Sequence, residues 1–330
     1  MNNQSLLGFL NLDKPLGFTS HDCVAKFRRV AKMKRVGHGG TLDPLATGVL
    51  PLAVGKATRL LQFLPDRKAY EATIRFGWRT SSDDLEGEIL EKNAASELTL
   101  DQIKPHLSQF IGKITQIPPV YSAIQKDGKR LYELARQGKM VEVPPREVEI
   151  DRMEILNWER GEFPELMLYI QCRKGTYIRS IARDLGDIMG TGGTLAQLRR
   201  TESSGFSLES SLSLTDLEEQ LKTGSLTLLP LDSPLQHLEK KVLPQEEGKR
   251  WSQGQLLSHS SEETRFLRIY DENGLFLGIG ETVPPETLKP KTVIREHQDE
   301  TIAESTIKAF SSHTIFTLRP IPPTPLIKGG

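Results

Sequence analysis

One stretch of the sequence surrounds a lone carboxylate with turn-forming residues: Gly37-His38-Gly39-Gly40-Thr41-Leu42-Asp43-Pro44-Leu45-Ala46-Thr47-Gly48. Its glycines adopt backbone conformations that other residues avoid and let a ligand come close, and Pro44 biases Asp43 away from helix. The apolar run that follows, from Val49 to Val54, is typical of a buried strand. We therefore expect a tight loop that presents Asp43 beside a core element. Asp-Pro is also a common turn pair with no chemical role, so the rest of the chain must decide between the two interpretations.

The length and composition indicate an ordinary globular protein of two domains. The chain has 330 residues, of which 37% are apolar and 26% are charged. Its N-terminus lacks the basic region of a signal peptide, and no apolar run approaches the ~20 residues of a membrane span. Two distant cysteines, Cys23 and Cys172, suggest reduced thiols. We expect a cytoplasmic protein with no membrane segment.

Charge is distributed unevenly along the chain, although the formal net charge is zero. Residues 1–70 carry eleven Lys and Arg against four Asp, a net of +7. A positive field near Asp43 is what a nucleic-acid surface needs, whereas a solvated helix face is the simpler explanation for any single basic cluster.

Several common kinds of site are excluded by spacing. The segment 55–59 is no phosphate loop, because the first glycine of that motif is missing and Ala57 replaces its hydroxyl. The seven histidines are scattered and the two cysteines are distant, so no metal site is expected. A carboxylate with aromatic and basic residues remains, which suits nucleophilic or general-base chemistry on RNA.

The predicted elements near the N-terminus are a short strand over 8–12 and a helix that starts at a capping box. The box is Thr19-x-x-Asp22, and the helix should end near Lys34-Arg35. Residues 69–77 alternate as a strand that places Tyr70, Ala72, Ile74 and Phe76 on one face.

The C-terminal third contains a small β module. Two strands, 265–270 and 275–281, flank a hairpin turn at 271–274. The Pro-rich sequence after about residue 301 predicts an extended or disordered tail.

Several motifs together resemble the TruB-type tRNA pseudouridine synthases, in the order of that family over roughly residues 8–235. They are GFLNLDKP (8–15), the stretch 37–48, Tyr70, PPVYSA (118–123), GKRLY (128–132), KGTYIRS (174–180) and LRR (198–200). The C-terminal module is similar to the small RNA-binding β-barrel called PUA.

The resemblance implies an α+β fold in which a mixed, largely antiparallel catalytic sheet with helices is followed by a PUA-like β-barrel. It divides the chain into a catalytic domain (1–235), a PUA-like domain (236–300) and a flexible tail (301–330). It also implies the reaction, which isomerises uridine to pseudouridine at position 55 in the T-loop of tRNA, with no cofactor and no metal.

The resemblance also implies site residues. Asp43 would be the essential catalytic acid, and attack on C1′, attack on C6 and abstraction of a ribose proton all stay open as its role. Arg179 would pair with Asp43 and keep it ionised. Tyr70 would stack on the target base, and Tyr177 and Leu198 would line the uridine pocket. Without the family, each of these four reads more simply as a structural or packing residue.

Three further residues complete the implied site. His38 would fill the space that departing T-loop bases leave, and Lys14 would support the pocket or a phosphate. Asp84 would join the charge network around Arg179, but the sequence here departs from the family pattern. The family often has Thr-Asp-Thr-x-Asp, where this chain has Thr80-Ser81-Ser82-Asp83-Asp84, so the choice between Asp83 and Asp84 stays open.

A basic excursion over residues 126–146 is interpreted as an RNA clamp, with Lys126, Lys129 and Arg130 as its contacts. We expect a monomer that needs no protein partner and binds the T-stem-loop of tRNA. Two alternatives remain: an RNA-binding tRNA-folding chaperone, and a guide-RNA-dependent pseudouridine synthase.

Overall fold

The computed structural model describes residues 6–122, 125–126, 129–130 and 143–294. In these residues the strands are β1 (Gly8–Lys14), β2 (Val36–His38), β3 (Ala46–Val54), β4 (Arg67–Phe76), β5 (Trp78–Thr80), β6 (Ile89–Lys92), β7 (Gly112–Gln116), β8 (Gln125–Lys126), β9 (Lys129–Arg130), β10 (Arg146–Glu159), β11 (Glu165–Arg173), β12 (Gly193–Ser203), β13 (Phe206–Ser207), β14 (Glu239–Leu243), β15 (Leu257–Ser258), β16 (Phe266–Asp271), β17 (Phe276–Val283) and β18 (Thr287–Val293). The helices are α1 (Ser20–Ala31), α2 (Leu100–Leu107), α3 (Ile178–Ile188), α4 (Leu214–Thr223) and α5 (Gln245–Ser252). Short 3-10 helices cover Gly55–Phe63, Ser108–Phe110, Leu208–Ser210 and Ser233–Leu235.

The larger sheet has its main strands in the order β1-β3-β12-β4-β11-β10-β7, and β2 and β13 pair at its margins with β3 and β12. Its strand pairs are antiparallel except β3 with β12, which is parallel. The predicted mixed, largely antiparallel sheet is confirmed. The parallel pair lies between β1 and the central strand β4, and β3 starts directly after the loop that carries Asp43.

Strand β4 forms the centre of this sheet, and the predicted alternation is confirmed. Its apolar face packs with the buried face of α3 in one core cluster that contains Tyr70, Ala72, Ile74, Phe76, Ile178, Ile181, Ala182 and Leu185. This packing fixes the start of α3 against the face of β4 that carries Tyr70.

Helix α1 starts at the predicted capping box, because Thr19 and Asp22 each accept a hydrogen bond from the other's backbone N–H. The prediction that it continues to Lys34-Arg35 was wrong. The helix stops at Ala31, because Lys32 adopts the left-handed conformation (φ 53°) and its N–H bonds to the carbonyl of Arg28. The basic residues after it therefore lead into β2 through a turn and a bend.

The C-terminal β domain is a five-stranded sheet in the order β14-β16-β17-β18-β15, and the predicted hairpin turn joins β16 to β17. It forms a half-barrel and shares an apolar cluster with the larger sheet, to which Phe9, Phe63, Tyr270 and Ile279 contribute. The proposed tail (301–330) and most of the clamp segment lie outside the described residues. The domain boundaries at 235 and 300 stay predictions.

Candidate active site

The loop that carries Asp43 runs from the end of β2 to the start of β3, and two buried side chains hold it. Ser20 Oγ accepts the N–H of Leu42 at 2.8 Å and donates to the Leu42 carbonyl at 3.2 Å. The Lys14 ammonium is fully buried and donates to the carbonyls of Pro15, Phe18 and Pro44. Asp43 is thus held between two anchored neighbours, while its own side chain stays 41% exposed.

A close backbone approach follows directly after the loop. Gly48 has φ +102°, and a Cβ on it would lie 2.2 Å from the carbonyl oxygen of Arg200. Only glycine allows β3 and β12 to run this close together in parallel. The same register sets Leu198 opposite Ala46 and opposite Ala72 of β4. Leu198 is therefore buried between the end of the Asp43 loop and the strand that carries Tyr70.

Arg179 is the cation that meets Asp43. It lies in the first turn of α3, is 5% exposed, and places Nη2 3.0 Å from Asp43 Oδ2. The same guanidinium donates to the carbonyl oxygens of Ser82 at 3.0 Å and Tyr121 at 2.9 Å. Because four groups including Asp84 surround it, Arg179 has little freedom to move away from the Asp43 carboxylate.

The two neighbouring aspartates of the 80–87 loop have different partners. The Asp84 carboxylate is buried, lies 3.6 Å from Arg179 Nη1, and accepts hydrogen bonds from Ser82 Oγ and the Glu86 N–H. Asp83, with φ +62°, turns away and pairs with Arg183 at 2.8 Å. Burial raises the pKa of Asp83. In this geometry Asp84, rather than Asp83, contacts Arg179.

Tyr70 is 6% exposed, with its phenol beside the guanidinium of Arg200. Burial raises the pKa of Tyr70 to about 12, so the hydroxyl keeps its proton at neutral pH. Arg200 is fully buried and donates to the carbonyls of Val49, Thr41 and Gly40. Sequence reasoning noted Arg200 only as part of a motif and missed this function of holding the Asp43 loop.

Tyr177 caps the N-terminus of α3, next to Arg179. Its N–H donates to Gln116 Oε1 at 2.9 Å, and its carbonyl accepts from Gln116 Nε2 at 3.1 Å. Burial raises the pKa of Tyr177, and the ring is only partly exposed. This double hydrogen bond to β7 fixes the direction in which the helix starts.

His38 lies at the end of β2, edge-on to His21 with ring centroids 5.4 Å apart. Burial lowers the pKa of His38 to about 4, so the ring is neutral at physiological pH. Lys14 reaches only carbonyl oxygens within the described residues. Of its two expected tasks, this placement favours support of the pocket over contact with a phosphate.

The other predicted groups are described only in part. Lys126, Lys129 and Arg130 belong to the short antiparallel pair β8–β9, and the residues 131–142 lie outside the described part. Across the described ranges, no group of three His, Cys, Asp or Glu could hold a metal ion. The described helices are all too short or too polar to cross a bilayer.

Comparison with solved structures identifies the fold. A chain in the "Crystal Structure of a Cbf5-Nop10-Gar1 Complex" superposes with a TM-score of 0.67 at 25% identity, over 87% of this chain and 84% of that one. A chain in the "Structure of H/ACA RNP bound to a substrate RNA containing 2'-deoxyuridine" gives a TM-score of 0.66.

Family models define the class as pseudouridylate synthase. The TruB family pseudouridylate synthase N-terminal domain matches residues 28–178, and two TruB C-terminal domain models match residues 179–247 and 241–294. A tRNA pseudouridine synthase B from Trichormus variabilis is 58% identical over 83% of this chain and 94% of its own length. One from Gloeothece citriformis is 56% identical over 88% and 98%.

The chain therefore belongs to the TruB family of tRNA pseudouridine synthases. It is an isomerase that forms pseudouridine in tRNA. The C-terminal half-barrel corresponds to the PUA-like domain that was predicted.

Proposed function

We propose that this isomerase converts the uridine at position 55, in the T-loop of tRNA, and that Asp43 is its essential catalytic acid. The observation that carries the proposal is the Asp43–Arg179 pair. A half-exposed carboxylate lies 3.0 Å from a guanidinium that is 95% buried, so the acid faces solvent while its partner is fixed. The acid is thereby oriented in advance of the substrate, as catalysis requires.

The reaction breaks the bond between N1 of uracil and C1′, turns the base, and joins C5 to C1′. N1 gains a proton, C5 loses one, and nothing else is exchanged, so the atoms balance without a co-reactant. A carboxylate can promote this reaction by attack on C1′, by attack on C6, or by abstraction of a ribose proton. The bond or proton transfer that it makes is reversed after the base has turned. Each of these routes needs one exposed, ionised carboxylate beside the target nucleotide.

The surrounding residues receive matching tasks in the proposal. Tyr70 stacks on the extruded uracil, and Tyr177 and Leu198 line the pocket. His38 occupies the space from which T-loop bases depart. Stacking on an aromatic ring contributes ~1–3 kcal/mol per base, which offsets the few kcal/mol that base extrusion costs. The basic segment with Lys126, Lys129 and Arg130 closes over the RNA as a clamp.

The test of Asp43 uses a carboxamide of nearly the same shape. Asp43→Asn should reduce pseudouridine formation in a bare T-arm stem-loop transcript at least about a hundredfold, because the amide can neither attack nor accept a proton. Affinity for the RNA should remain. Asp101→Asn is the matched control, because Asp101 is 89% exposed on α2 and should keep full activity.

The same assay separates the alternatives. A tRNA-folding chaperone without catalysis would bind the transcript and leave the uridine unchanged, with or without Asp43. A guide-dependent synthase would need added RNA or proteins before it modified a bare transcript. Unaltered modification by Asp43→Asn would refute the role of Asp43. Modification at another position would refute the T-loop assignment while it left the family intact.

A further inference from the structure

Lys68 is a cationic group beside the Asp43 loop that none of the tasks above uses. It lies on β4 two residues before Tyr70, so both side chains belong to the same face of the sheet. Its side chain is only partly exposed. Among the described residues its ammonium makes no hydrogen bond and no ion pair. A largely buried lysine without a partner is unusual, because burial of an unpaired charge is costly.

The Lys68 ammonium lies next to Gly40, where the backbone carries no side chain. Gly40 has φ +142°, and a Cβ on it would lie 3.3 Å from Lys68 Nζ and 3.7 Å from Arg200 Nη1. The two cations therefore border the same small space above Gly40. Gly40 precedes Asp43 by three residues, so the two α carbons are at most about 11 Å apart.

The charge in this space is not neutralised by the protein. Arg200 donates to three carbonyl oxygens, none of which carries a full negative charge. Asp66, the nearby acid, pairs with Arg173 at 3.2 Å. The neighbouring His38 is neutral. Burial, with a further contribution from Arg200, lowers the pKa of Lys68 to about 8, and attraction to a bound anion would raise it again.

We propose that Lys68 binds a phosphate of the RNA backbone, over Gly40, next to the nucleotide that Asp43 acts on. The proposal rests on Asp43 as the position of the target nucleotide. A nucleotide held there carries a phosphate on each side of its ribose, within one nucleotide's length of Asp43. The missing side chain at position 40 lets that phosphate approach the loop, and Arg200 adds to the positive potential without moving from its carbonyls.

The experiment measures binding rather than turnover. T-arm stem-loops with all phosphates, or with one neutral methylphosphonate 5′ or 3′ of the target uridine, are titrated at several salt concentrations. The full chain is used in the Asp43→Asn background, with Lys68 or with Lys68→Met. Lys104→Met is the matched control, because Lys104 is an exposed lysine on α2.

With the natural RNA, Lys68→Met should weaken binding about tenfold, as expected for a lost charge-assisted hydrogen bond. It should also reduce the slope of log K against log salt by about 0.7–0.9, the value for one phosphate. One of the two methylphosphonate RNAs should bind the protein that keeps Lys68 about tenfold more weakly than the natural RNA does. With that methylphosphonate RNA, Lys68→Met should weaken binding by no more than about a further twofold. Lys104→Met should change none of these values.

The opposite results would overturn the proposal. One such result is an unchanged affinity and salt slope in Lys68→Met. The other is a loss of affinity on Lys68→Met that is the same with both methylphosphonate RNAs as with the natural RNA. The methylphosphonate titration of the unmutated Lys68 protein keeps the test valid if Lys68→Met fails to fold. Failure to bind the T-arm at all, in every variant, would instead refute the proposed function.

Discussion

At the scale of the single residue, Arg179 connects catalysis to stability, because the same guanidinium meets an exposed carboxylate and a buried one. Asp84 is 4% exposed and depends on Arg179 for a cationic neighbour. Arg179→Met should lower the free energy of unfolding by about 3–5 kcal/mol, since it leaves this buried carboxylate without its cation. Urea denaturation measures the loss.

A second substitution separates the two effects. Asp84→Asn in the Arg179→Met background removes the unpaired charge and should recover part of the stability. Pseudouridine formation should stay low in both proteins, because Asp43 lacks its partner in each. Stability that falls further in the double variant would show that Asp84 is not the group that Arg179 neutralises.

The residues around Asp43 show what a sequence can and cannot predict. The resemblance carried by the glycine loop and the motif order predicted Asp43, Arg179, Tyr70 and Leu198 as neighbours. In the structure Arg179 pairs with Asp43, and Tyr70 and Leu198 share one core cluster with Leu42, the residue before Asp43. Lys68 and Arg200 were missed as members of the site. A buried cation on carbonyl oxygens and a surface cation look alike in sequence, because only the tertiary fold decides which carbonyls lie within reach.

At the scale of the element, the parallel pair β3–β12 brings the Asp43 loop and Leu198 together. The sequence predicted β1, β3, β4, β16 and β17, because alternating and apolar runs are local patterns, but it did not predict the long strands β10 and β12. It could not predict that β12 pairs with β3 as well as β4, since a strand pairing joins residues about 150 positions apart and leaves no local pattern. The end of α1 was misplaced for a related reason, because a left-handed lysine carries no signal of its own.

A pair of glycine substitutions tests this junction. Gly48 and Gly112 both have positive φ, +102° and +90°, but only Gly48 has backbone within contact of a Cβ. Each Ala substitution costs about 1–3 kcal/mol for the strained backbone. Gly48→Ala must also separate β3 from β12, so it should abolish most pseudouridine formation. Gly112→Ala should keep the activity per folded molecule, and equal losses in both would contradict the role of the parallel pair.

At the scale of the whole molecule, the C-terminal half-barrel is packed onto the catalytic sheet. Phe63 and Phe266 stack edge to face at 5.1 Å, and the Tyr270 hydroxyl donates to Asp232. Arg59 also donates to the carbonyl of Val293, at 2.8 Å. A β module of this size has little core of its own. Its shared apolar cluster with the larger sheet explains how it can be stable within this chain.

Shared packing predicts that the two sheets unfold together. Ile279→Ala, at a fully buried position of the shared cluster, should cost about 2–5 kcal/mol. Hydrogen exchange during urea denaturation reads peptides of β4 and β17 separately, and both should become exposed at the same, lowered urea concentration. Leu277→Ala, in the half-barrel's own core, is the matched comparison and should shift the same single transition. If β17 opened at lower urea while β4 stayed protected in either variant, the half-barrel would be an independent unit, and the catalytic sheet would not depend on it for stability.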